Sequence, residues 1–99
     1  MNIKIQSVRF DADKKLLDFV DEKVKKLEKF YDGIVSAEIT LRIDKDQEKE
    51  SKIAEIRLEI PGNDSFAKKQ SKTFEESVDE CIDALKRQLT KQKEKQRGI

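Results

Sequence analysis

Hydrophobic residues recur along this chain with two different periods, and the switches between them mark out its elements. Ile3 and Ile5 alternate with Lys4 and Gln6, which predicts a short strand almost at the start. The run Phe10-Asp11-Ala12-Asp13 breaks that alternation. Asp13 has the chemistry of an N-cap, and from there to about Phe30 the apolar positions Leu16, Val20, Val24, Leu27 and Tyr31 follow a helical spacing, with Leu17 and Phe30 beside the stripe. Gly33 is placed to close this segment with a turn. Val35, Ala37, Ile39, Leu41 and Ile43 then alternate with polar residues, and Ala54, Ile56, Leu58 and Ile60 do so again, giving two more strands. The wholly polar stretch from Asp44 to Lys52 reads as the hairpin loop between them. Pro61-Gly62-Asn63-Asp64 is a strong turn sequence. Residues 65–72 then predict a weak fourth strand, its lysines suited to a sheet edge that must not pair further. The last third, Thr73 to Arg97, is one long amphipathic helix whose apolar face is Phe74, Val78, Cys81, Ile82, Leu85 and Leu89. It opens on Thr73-Phe74-Glu75-Glu76, which has the form of a capping box.

The resulting order is β-α-β-β-β-α. A helix between the first two strands acts as a crossover, so those strands should pair in parallel, while the hairpin-linked strands pair antiparallel. Each helix has one apolar stripe and each strand one apolar face. The expected fold is therefore α+β in two layers, a four-stranded sheet with both helices packed on one face. Ninety-nine residues are enough for one domain spanning residues 1–99.

Composition changes this picture in one respect. The chain is 43% charged and 35% hydrophobic, so its core must be thin, yet its net charge is only +1. The charge is sorted along the sequence. Residues 84–99 hold six bases and a single acid, a net +5, which leaves residues 1–83 at −4. A helix dipole favours bases in a last turn, but that effect fades within one turn and this basic run covers about three. An anionic partner outside the helix explains it better.

Other chemistry is sparse. The sequence has no histidine, no glycine-rich phosphate loop and one cysteine, Cys81, which falls on the apolar stripe. Zinc sites, Ser/His/Asp triads and nucleotide-binding loops find no residues here, and an inert, buried thiol is expected. No catalytic residues, metal, cofactor or small-molecule substrate are expected, and no apolar run reaches membrane-spanning length. Absence of a leader-like start and of a disulfide framework points to a reducing, cytoplasmic setting. The bases are more ordered. Arg87, Lys91 and Lys95 recur every fourth residue as one ridge, with Lys86, Lys93 and Arg97 on the opposite flank. On the first helix, Lys15, Lys23 and Lys26 share a flank. Two such ridges, parallel or antiparallel, would line a groove for phosphates. The aromatic residues are taken by core or turn positions, so recognition of folded RNA by shape and backbone is the expected mode.

The stretch Leu85-Lys86-Arg87-Gln88-Leu89-Thr90-Lys91, followed by Lys93 and Lys95, resembles the end of the last helix in the ribosome hibernation-promoting factors. That family, also called sigma-54 modulation proteins, includes ribosome-associated inhibitor A. The opening Ile3-Lys4-Ile5 agrees, as do Phe19-Val20, Lys23, Lys26-Leu27-Glu28 and Phe30. The resemblance implies a short-form, non-catalytic factor, without the C-terminal dimerisation domain of long members and monomeric by itself. It would bind the 16S rRNA of the small ribosomal subunit in the channel of messenger and transfer RNA and idle the ribosome in stress or stationary phase. By matching position, it gives RNA contacts to Lys23, Lys26, Arg87, Lys91, Lys93 and Lys95. The alternative is a protein-docking module using the acidic loop from Asp44 to Glu50 or the lysine-rich edge strand.

Overall fold

The computed structural model describes the backbone of residues 1–97 and the side chains of residues 1–94. Strand β1 (Asn2–Ser7) leads to helix α1 (Lys14–Phe30), then to β2 (Ser36–Ile43), β3 (Lys52–Glu59), β4 (Ser65–Ser71) and helix α2 (Phe74–Arg97). The sheet order is β1-β2-β3-β4, with β1 and β2 parallel and the other pairs antiparallel. Strand order, pairing sense and both helices are those the periodicities predict.

Local chemistry places the boundaries. The Asp13 side chain accepts the Leu16 amide at 2.8 Å and starts α1. The helix ends at Phe30 with Tyr31 as an extended cap, and Gly33, at φ +98°, makes the turn two residues later. At the start of α2 the Thr73 hydroxyl accepts the Glu76 amide at 3.1 Å. The return bond from the Glu76 carboxylate, expected of a full capping box, is not made.

One side of the sheet carries the core. In register, Ile5 lies beside Ile39, Ile39 beside Ile56 and Ile56 beside Ala67, and these pack against Val20, Val24 and Leu27 of α1 and Val78, Cys81, Leu85 and Leu89 of α2. Truncating a buried leucine in such a core to alanine costs roughly 2–5 kcal/mol. Two residues of the predicted apolar face, Val35 and Ile43, are instead 47% and 42% exposed, because they stand at the two ends of β2, past the cover of the helices. Ile53 departs in the other direction. It breaks phase onto the open face yet is buried, flanked in register by Arg42 and Gln70. The Gln70 amide is held there by bonds to the Asp44 carboxylate and the Glu50 carbonyl.

Strand sense also fixes helix sense. β4 runs parallel to β1, and each of these strands is followed by a helix that turns back across the sheet, so α1 and α2 run the same way. Phe10, just ahead of α1, stacks on Phe74, the first residue of α2, with ring centroids 5.0 Å apart. The basic second half of α2 therefore lies at the end where α1 stops.

Candidate nucleic-acid interface

Four side chains along the two flanks of α2 tie it down and thereby decide which of its faces is free. On one flank, the Gln88 amide donates to the Phe66 carbonyl at 2.8 Å, and the Phe66 amide donates back to Gln88 Oε1 at 3.3 Å. These are the two bonds another strand would make to the free edge of β4. Gln92 Nε2, one turn on, donates to the Asn63 carbonyl in the 61–64 turn. On the opposite flank, Lys23 of α1 bridges to Asp79 at 3.1 Å, and Lys93 Nζ donates to the Phe30 carbonyl at the end of α1. Lys93 also lies 4.4 Å over the Phe30 ring, and Lys23 lies 5.4 Å over that of Phe19.

Between those flanks α2 faces outward. A shallow cleft of about 410 Å3 runs along it, lined by Lys86, Arg87, Thr90, Lys91 and Glu94. Thr90 turns its hydroxyl to the Lys86 carbonyl, the usual resting place for a mid-helix threonine. Lys86, Arg87 and Lys91 form no ion pair among the described residues, and neither does Lys26 on the exposed surface of α1. Three unpaired cations beside one acid make this a surface of positive potential, and long side chains free to turn can follow a row of phosphates.

The six residues picked out by sequence thus divide. Arg87, Lys91 and Lys26 are exposed and unpaired. Lys23 and Lys93 lie in the seam between the helices, each with an internal partner. Lys95 continues the Arg87–Lys91 ridge along the backbone of α2, but its side chain lies outside the described residues. The arrangement differs from the expected groove between two basic ridges. The seam is closed by Lys23–Asp79 and Lys93–Phe30, and the Arg87–Lys91 ridge stands on the outer face, away from α1. Lys23–Asp79 is a surface pair, with side chains 32% and 50% exposed. Such a pair is worth less than about 1 kcal/mol, so a phosphate can displace Asp79 at little cost. Sequence reasoning missed Gln88 and Gln92, whose spacing of four on the flank of the basic ridge was the available signal. Cys81 is fully buried, its thiol donates to the Ala54 carbonyl at 3.3 Å, and burial pushes its pKa up to about 12, so it is no nucleophile.

A two-layer β-α-β-β-β-α domain whose last helix presents an outward basic face is built as a binding module for an anionic partner. Residues 3–97 match the family described as sigma 54 modulation protein / S30EA ribosomal protein, and the chain belongs to that family. It is 30% identical over 99 residues to the ribosome hibernation promoting factor of Pseudomonas putida, covering all of this chain and 93% of that protein. The protein of the same name from Klebsiella oxytoca is 34% identical over 95 residues, 96% of each chain. Among solved structures, a ribosomal subunit interface protein from Coxiella burnetii superposes with a TM-score of 0.83 at 25% identity, covering 94% of this chain and 98% of that one. The N-terminal domain of Protein Y from Thermus thermophilus, at 23% identity and a TM-score of 0.79 over 92% of this chain and 98% of its own, has the same fold.

Proposed function

We propose that this chain is a cytoplasmic ribosome hibernation factor. Its α2 face seats on 16S rRNA phosphates of the small subunit, in the channel of messenger and transfer RNA, and so idles the ribosome in stress or stationary phase. The observation that carries this reading is the unpaired cationic cleft of Lys86, Arg87 and Lys91 on a chain whose first 83 residues are net acidic. Its relatives, ribosome hibernation promoting factors and a ribosomal subunit interface protein, point to the ribosome as the partner. The mechanism is steric and electrostatic. Arg87 and Lys91, continued by Lys95, track the RNA backbone, Lys26 adds a contact from α1, and counterions released from the phosphates drive association. Lys23 and Lys93 reach phosphate only by giving up Asp79 and the Phe30 carbonyl. The docking alternative loses ground, because Gln88 already occupies part of the β4 edge and Gln70 ties down the acidic loop.

Replacing Arg87, Lys91 and Lys95 together by glutamine tests the assignment. Each phosphate left without its base lowers the slope of log affinity against log salt by about 0.7–0.9, so the triple change removes about 2–3 units. Taking 1 M salt as the point where electrostatic attraction vanishes, small-subunit binding weakens roughly 100- to 1,000-fold at 0.1 M salt. Folding survives, since Arg87 and Lys91 are exposed and the apolar stripe of α2 ends at Leu89. Parent-like affinity and slope in the triple variant sink the proposal.

A further inference from the structure

At the other end of the sheet, a second cationic cleft of about 300 Å3 opens where β1 and β2 finish. Its lining is Val8, Arg9, Arg42, Ile43 and Lys45. Several features set it apart. It contains three bases and no acid, whereas the cleft on α2 includes Glu94 and the one beside the 61–64 turn includes Glu38, Glu59 and Asp64. Of the carboxylates close in sequence, Asp44 accepts bonds from the Gln70 amide and the Asp46 backbone amide, and neither Asp11 nor Asp46 lines the cleft. Arg42 is steadied by Glu55 at 3.2 Å, while Arg9 and Lys45 have no ion pair among the described residues. Ile43, one of three large hydrophobic side chains left exposed among the described residues, supplies an apolar wall. Finally, Arg9 sits in the left-handed region at φ +64°, a conformation glycine adopts without steric cost. An arginine held in that conformation in the lining of a cleft, where glycine would be easier, is an outlier that motivates a functional reading.

We propose that this cleft is a nucleotide-binding subsite. Arg9 and Lys45 hold a phosphoryl group, and the base lies against Ile43 and Val8 beside the Arg42 guanidinium. The apolar wall selects against bare phosphate, and the absence of any lining acid leaves the anion unopposed. The cleft lies past the carboxyl ends of two parallel strands, where open α/β sheets bind ligands, although here that placement is only a consistent addition. The same chemistry fits a free mononucleotide or one residue of an RNA strand. The subsite stands whether or not α2 seats on ribosomal RNA. β2 alone separates the two ends by about 23 Å at 3.3 Å per residue.

The test is an NMR titration of backbone amides and methyl groups with adenosine monophosphate, inorganic phosphate and a short single-stranded oligoribonucleotide. Saturable shifts centred on Val8, Arg9, Ile43 and Lys45 are expected with adenosine monophosphate, and weaker ones with phosphate. R9Q/K45Q should reduce the affinity about tenfold for each charge-assisted hydrogen bond removed. R9G is the decisive variant. It removes the side chain while relieving the backbone, so thermal stability should hold or rise as affinity falls. Tighter binding of the oligoribonucleotide than of the mononucleotide names a strand as the source, and the reverse names a free nucleotide. R87Q/K91Q should leave these shifts intact while weakening ribosome binding, so failure of the α2 reading and failure of this one are told apart. The subsite is overturned if phosphate matches the mononucleotide, if the shifts fall elsewhere, or if R9G binds like the parent.

Discussion

Cys81 makes the packing of α2 against the sheet measurable by pH. Its thiol is fully buried beneath the helix and points at the Ala54 carbonyl of β3. Desolvation there raises its pKa from an ordinary 9.0 to about 12. Folding therefore requires the neutral thiol. The associated stability is complete below pH 9 and is lost progressively as pH rises from about 9 to 12, because over that window only the unfolded chain ionises. By linkage, the loss attributable to this thiol between pH 8 and pH 10 is about 1.3 kcal/mol. Cys81→Ala provides the reference. Near pH 7 it should cost roughly 1–2 kcal/mol for the missing sulfur and the small cavity left behind. That cost should shrink by about 1.3 kcal/mol at pH 10, since alanine has no proton to lose. Urea unfolding of parent and variant at pH 7, 8, 9 and 10 provides the assay. Every other ionisable group is common to both proteins and cancels in the difference. A gap between the two proteins that stays constant with pH would mean that the thiol ionises equally well folded and unfolded, and the buried placement would be wrong.

Two further outcomes follow from the ties on α2. Gln88→Ala removes both bonds to the backbone of Phe66 and should cost about 1–2 kcal/mol in urea unfolding, with faster hydrogen exchange at the Phe66 amide and an unchanged salt slope for ribosome binding. Lys93→Gln loses the cation over Phe30 and the charge at the end of α1, worth about 1 kcal/mol together. It should flatten the salt slope less than Arg87→Gln does, and an equal flattening would show that Lys93 leaves Phe30 for phosphate.

What the sequence determined by itself is the set of elements and their order, because those depend on local periods. Alternation over Ala37–Leu41 and Ala54–Leu58 requires strands, the stripes of Leu16–Leu27 and Phe74–Leu89 require helices, and Asp13 and Thr73 cap where a side-chain oxygen can meet the next turn. The charge sorting that singles out α2 as the proposed binding element is legible in the same way. Side-chain partnership is not local, and there tertiary structure decided. Lys23 and Lys91 look alike as members of basic ridges, yet one meets Asp79 across the seam and the other meets solvent, a difference set by which side of α2 faces α1. Ile53 is out of phase on a strand but buried, because Gln70 and the hairpin loop close over it. Arg9, Arg42 and Lys45 lie on separate segments and converge only because β1 and β2 are parallel neighbours that finish together. A period reports which face of an element is wet, and only the packed chain reports what stands opposite that face.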